Sequence, residues 1–173
     1  MDLACCVKEV LLLDSDLGCV DILLRWFDNC WFKSDQPLTD EHMLLKAQAQ
    51  TAIVELFGNA VRHAHAGLDP APQISLTWVS DLQGFSFSVS DHGRPFAPES
   101  MFERLRLIAA QGGMNPLERD THWGLFLLLR LCDEHGWHLM TRRLSDGINT
   151  VRLAHCWPIA PGNTEALRLP STV

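Results

Sequence analysis

From Val7 to Leu13 the chain is a short apolar run with β-branched character, closed by Asp14-Ser15-Asp16. That pattern predicts a strand, a turn and a helix N-cap. From Leu17 to about Phe32 the apolar positions Val20, Leu23, Leu24, Phe27, Cys30 and Trp31 recur at intervals of three and four, which predicts a helix with one buried face. The polar segment from Ser34 to Asp40 reads as a linker with a cap at Thr39 or Asp40, and a long second helix is expected from about Glu41 to Ala66. Gly67, Pro70 and Pro72 stop it. The period then changes to two, over Gln73 to Ser80 and Phe85 to Ser90, with a hairpin turn at Asp81-Leu82-Gln83-Gly84. A helix from Glu99 to about Ala110 follows, then a polar, glycine-bearing stretch from Gln111 to His122 that reads as a mobile loop. A strongly apolar helix from Gly124 to Glu134 comes next. Trp137 to Leu144 and Asn149 to His155 form a terminal hairpin around Ser145-Asp146-Gly147.

Strands that come as hairpins, not singly between helices, favour an α+β fold. The expected architecture is a two-layer sandwich, a mixed and mostly antiparallel sheet with helices on one face. One domain should span residues 1–157, with a poorly ordered tail over 158–173. A chain of 173 residues suits this, because a domain of that size buries roughly 70% of the surface its unfolded chain exposes. The charge balance of 14 Lys plus Arg against 21 Asp plus Glu, net −7, argues against a direct nucleic-acid partner, which needs clustered cations to displace counterions. No apolar window reaches the ~20 residues of a membrane span and no leader-like segment opens the chain, so a cytoplasmic protein is expected. The cysteines Cys5, Cys6, Cys19, Cys30, Cys132 and Cys156 lack metal-site spacing and read as reduced core thiols.

Three constellations carry candidate chemistry. On the second helix, with Glu55 taken as zero, Gln48 falls at about 20°, Asn59 at about 40°, Arg62 at about −20° and His63 at about 80°. Ile53, Phe57, Ala60, Val61 and Ala64 fill much of the remaining circumference, so the polar stripe is either a solvated face or the wall of a ligand site. Arg62 reads as solvated. Asp91-His92-Gly93-Arg94-Pro95-Phe96 follows a predicted strand directly. Its carboxylate could accept a hydrogen bond from an exocyclic amine, with Gly93 allowing a flat ring to approach, although Asp and Gly are equally turn residues. At Thr121-His122-Trp123-Gly124-Leu125, a loop runs into a helix start whose free N–H groups can meet phosphate oxygens or simply begin a helix.

In this order the three resemble the GHKL ATPase superfamily of gyrase and the histidine kinases. Glu55-Leu56-Phe57-Gly58-Asn59-Ala60-Val61-Arg62-His63-Ala64 is similar to the N-box of the small stand-alone anti-sigma-factor serine kinases of bacteria, and Ser90 to Phe96 to their first glycine box. Gly124 to Leu127, followed by Leu131-Cys132-Asp133-Glu134, resembles their second box, and Gly147 to Val151 their last strand. The resemblance covers roughly Val7 to Trp157. It implies ATP and Mg²⁺ as cofactors, Glu55 as general base toward a protein serine, and Asn59 as the Mg²⁺ ligand. It further implies Asp91 on the adenine amine, Gly93 and Phe96 in the adjoining box, Gly124 and Leu125 amides at phosphate, and Thr150 near the adenine. His63 matches the N-box, where a His at a helix end is equally a structural group. The implied partners are an anti-sigma-factor antagonist-like protein bearing the target serine and a sigma factor, with a homodimer left open.

The sequence departs from that pattern just before Gly124, where Thr121, His122 and Trp123 replace further glycines and Gly112 and Gly113 stand upstream. Pro95 also stands where many relatives have glycine. The first departure implies a stiffer lid and keeps open a second class of function, an interaction module that does not turn nucleotide over. A histidine-kinase catalytic domain separated from its dimerisation helices is a third, disfavoured because the first strand and helix read as part of this domain.

Overall fold

The computed structural model describes residues 6–37, 39–95, 98–110 and 123–158. The expected loop from Gln111 to His122, Phe96, and the tail after Pro158 lie outside them. Five strands, β1 (Val7–Leu13), β2 (Ile74–Ser80), β3 (Gly84–Asp91), β4 (His138–Arg143) and β5 (Asn149–Cys156), form one sheet in the order β1-β2-β3-β5-β4. Every described pair is antiparallel. Four α-helices, α1 (Val20–Lys33), α2 (Asp40–Asn59), α3 (Pro98–Ala110) and α4 (Trp123–Glu134), make the second layer. The α+β two-layer architecture is therefore the expected one, and the mixed component of the sheet is absent among the described residues.

Local chemistry explains the boundaries. Asp16 sits in extended backbone and its carboxylate accepts from the Gly18 amide at 2.9 Å, starting a single 3₁₀ turn over Leu17–Cys19 that leads into α1. Of the two expected caps on α2, Thr39 is the one used: its hydroxyl accepts from the His42 amide at 3.3 Å. Strand alternation places Phe85, Phe87, Val89 and Asp91 of β3 on the helix side, and Ser86, Ser88 and Ser90 on the other. At the Phe85 end, Trp31, Trp78, Phe85, Trp137 and Trp157 form one aromatic cluster, with the Trp78–Phe85 and Phe85–Trp157 rings stacked at 4.9 and 4.6 Å. Such pairs add about 0.5–1.5 kcal/mol each beyond the area they bury. Gln48, part of the polar stripe, is recruited here: its side-chain oxygen accepts from the Trp137 indole at 3.1 Å. Asp91 lies at the opposite end of β3, about 20 Å away at 3.4 Å per residue.

Two expectations change. Cys30 is buried and its thiol is pushed up to about 12 by desolvation, but Cys6 and Cys156 are exposed, because they sit where β1 begins and β5 ends. The second helix does not run as α-helix to Ala66. It ends at Asn59 and continues as a π-type turn over Ala60–Ala64, closed by a bond from the His65 amide to the Ala60 carbonyl at 2.9 Å. The wider turn lets His65 reach inward. Its Nδ1 bonds the Ser15 hydroxyl at 2.9 Å and its Nε2 accepts from the His92 amide at 3.2 Å, tying the β1–α1 connection and the segment after β3 to one ring. Because Nε2 is an acceptor, the proton resides on Nδ1 and the ring is neutral. Burial lowers its pKa, against the opposing charge of Asp91.

Candidate functional site

A cavity of about 580 Å³ opens between α2 with its π turn, the ends of β3 and β5, and the start of α4. Pockets of this size hold small organic ligands. Glu55, Asn59, His63, Asp91, Gly124 and Leu125, singled out from separate stretches of sequence, all line it. Its apolar wall comes from Leu56, Ala60, Val89, Met101 and Val151. Glu55 and Ala64 stand on one helical run, separated by on the order of 13 Å at 1.5 Å per residue, which sets the two ends of the cavity apart.

At one end, Asp91 is 6% exposed. Its Oδ1 accepts from the Gly93 amide at 2.7 Å and from the Asn149 side-chain amide at 2.9 Å. Among the described residues both bonds go to Oδ1, which leaves Oδ2 as the acceptor offered to the cavity. Gly93 sits against the π turn: a Cβ there would lie 2.5 Å from both Cβ and the carbonyl oxygen of Ala64. Only glycine lets the segment after β3 approach the helix this closely. Gly93 is thus a packing position beside Asp91 that does not itself line the cavity.

At the other end, the Glu55 carboxylate lies directly against Gly124 in the first turn of α4, in the space a Cβ would fill. The positive end of the helix dipole favours an anion there. Arg62 lies across Gly58 with a guanidinium nitrogen 3.7 Å from Glu55, so it is a loose partner of the carboxylate and not a purely solvated residue. A half-exposed pair at that distance contributes at most about 1 kcal/mol. Asn59 and His63 follow Glu55 along the same wall. At the far end of α4 a bidentate pair joins it to α3, Arg106 to Asp133 at 2.8 and 2.7 Å, which keeps the Asp133 carboxyl below its usual range.

Thr150 is placed elsewhere. It stands opposite Ser90 in the β3–β5 register and its hydroxyl bonds that of Ser90 at 2.9 Å, on the sheet face away from the helices. Its neighbours Asn149 and Val151 point to the helix side, so these two, and not Thr150, adjoin Asp91 and the cavity. Reading along the chain alone did not single out Asn149, Arg143, Arg94 or His65. The signal for Asn149 lies in strand pairing, since Asp91 and Asn149 are direct partners.

The cavity therefore combines an oriented carboxylate acceptor, an apolar slot, a helix N-terminus, and the cations Arg62 and Arg94 on its lining. A flat base with an amine donor fits the first two features, and phosphates fit the others. A search of curated proteins found no match. A family model described as the histidine kinase-like ATPase domain does match, over residues 28–155, a span that includes every residue of the cavity described above. The chain belongs to the histidine kinase-like ATPase domain family.

Proposed function

We propose that this ATPase-family domain is a regulatory protein serine kinase. It would use ATP to phosphorylate a serine of a small antagonist-type protein and hold a sigma factor as its second partner. The observation that supports turnover is the placement of Glu55. Of the two carboxylates that line the cavity among the described residues, Asp91 is engaged by the Gly93 amide and Asn149, whereas Glu55, packed against Gly124, has no polar partner there closer than the loose Arg62 contact at 3.7 Å. It is thus free to take a proton at the end of the cavity formed by the α4 N-terminus. The serine oxygen forms a bond to the terminal phosphorus, the bond to the bridging oxygen breaks, ADP leaves, and Glu55 accepts the hydroxyl proton.

The residues present suit the implied cofactors. Asn59 offers one amide oxygen, in keeping with a Mg²⁺ that retains water and phosphate oxygens for its remaining positions. Bound there, Mg²⁺ would offset charge on the phosphates. Asp91 would fix the base by its amine, and the apolar wall would exclude water from the ring. A second reading, a nucleotide-binding interaction module without turnover, is favoured by Trp123, a bulky, partly exposed residue on the cavity lining immediately before Gly124.

Glu55→Ala separates the two. The kinase reading expects ATP binding by calorimetry to persist while transfer of labelled γ-phosphate to the partner's serine falls about 10²-fold or more. Transfer at the wild-type rate would remove Glu55 as the base. A wild-type protein that binds ATP and its partner but transfers nothing would establish the second reading.

A further inference from the structure

Three strand ends bring Asp91, Asn149 and Arg143 side by side, since Asp91 pairs with Asn149 and Asn149 with Arg143 across β3, β5 and β4. The Asn149 amide group donates to Asp91 Oδ1 at 2.9 Å, to the Gly93 carbonyl at 3.1 Å and to the Arg94 carbonyl at 2.8 Å. Its oxygen accepts from Arg143 Nη1 at 2.6 Å, and the same nitrogen reaches the Gly93 carbonyl at 3.1 Å. Every contact fixes the orientation of that amide. Turned over, its oxygen would face a carboxylate and two carbonyls, and its NH₂ would face a guanidinium. Asn149 is 3% exposed, so an unmade bond here would not be replaced by water.

We propose that Asn149 and Arg143 are positioning residues that set base specificity. By holding Asp91 with Oδ1 consumed and Oδ2 directed into the cavity, they make it select a purine with a 6-amino donor over one with a 6-oxo group. The inference rests on reading the cavity as an ATP site, and it adds the residues that give the site its discrimination. A carboxylate that could rotate would meet a 6-oxopurine through a bridging water or turn aside. One locked by three strands presents an acceptor against the carbonyl, which repels it.

The test is calorimetric titration of the full chain with ATP and with ITP, the 6-oxo counterpart, in Mg²⁺, for wild type, Asn149→Ala and Arg143→Gln. Wild type should prefer ATP. Asn149→Ala should lower the ATP-to-ITP affinity ratio by about tenfold or more, mainly through weaker ATP binding, the loss expected from one hydrogen bond to a charged group. Arg143→Gln, at an exposed rim position, should shift the ratio in the same direction by a smaller factor, and it decides the matter alone if Asn149→Ala does not fold. A merely structural role would weaken both nucleotides alike and leave the ratio unchanged, which overturns the proposal while the ATP site stands. Wild type binding both nucleotides equally also overturns it. Binding of neither by wild type overturns the reading of the cavity itself.

Discussion

Gly93→Ala perturbs the site where it is least able to yield. The added Cβ would lie 2.5 Å from Ala64 Cβ, 2.5 Å from its carbonyl oxygen and 2.6 Å from its Cα. Ordinary contact needs 3.4 Å or more, so one backbone must retreat by close to 1 Å. Both candidates are constrained. Ala64 belongs to the π turn closed by His65, and Gly93 is held through its amide by Asp91 and through its carbonyl by Asn149 and Arg143. Overpacking of this kind costs about 1–3 kcal/mol, and losing the Gly93 bond to the Asp91 carboxylate adds about 1.5–3 kcal/mol. Allowing for partial relaxation, about 2–4 kcal/mol is expected. For a chain of this length each kcal/mol moves the melting midpoint by about 2–4 °C, so thermal melting by circular dichroism should show a drop of roughly 4–16 °C. ATP affinity should fall as well, because Asp91 loses one of the two donors that orient it. A Gly93→Ala protein that melts within about 1 °C of wild type and binds ATP equally would refute the close-approach argument.

Gly124→Ala makes the converse case. Its Cβ would meet the Glu55 side chain from Cγ to the carboxylate, with no backbone atom among the nearest contacts, so the side chain must turn aside as a whole and stability should fall by about 1–2 kcal/mol, from an off-minimum side chain and the loosened Arg62 pair. If the protein is the proposed kinase, turnover should suffer far more than the melting point, and a variant losing stability but keeping full turnover would place Glu55 outside the chemistry. The pH dependence of stability has a definite sign. His65 has a lowered pKa in the folded protein, so the unfolded chain takes up its proton first as the pH falls through about 6.5. The His65 contribution is thus present above that value and lost below it, at up to about 1.4 kcal/mol per pH unit until the folded group also protonates. The gap in melting midpoint between wild type and His65→Gln should narrow from pH 7.5 to 5.5, and a gap that stays constant or widens would contradict the neutral ring.

Much of this architecture was legible because its determinants are local. The period of three and four located α1, alternation located β2 and β3, and glycines with turn residues marked the terminal hairpin. Glu55 and Asn59 were found together because four residues make about one α-helical turn. What escaped depends on contacts between distant segments. The π turn is drawn by His65 reaching Ser15 and His92, partners far along the chain, and no helical period announces it. Asn149 and Thr150 differ by one residue, but on a strand that step exchanges the faces of the sheet. Only the pairing of Asp91 with Asn149 decides which one meets the cavity. Gln48 shared the polar stripe with Glu55 and yet serves the Trp137 indole, since the choice between ligand and core partner depends on what packs alongside.

The measurement that bears most directly on the account is calorimetric titration of the chain with ATP, with and without Mg²⁺, beside Asp91→Asn. The substituted amide can keep its oxygen on the Gly93 and Asn149 donors, which leaves an NH₂ where Oδ2 stood and sets donor against donor at the base. Wild type should bind in the micromolar range, on the order of −8 kcal/mol, and the variant, folded by circular dichroism, should lose that binding. No binding by wild type, or equal binding by both proteins, would contradict the assignment of the cavity as a nucleotide site with its base on Asp91.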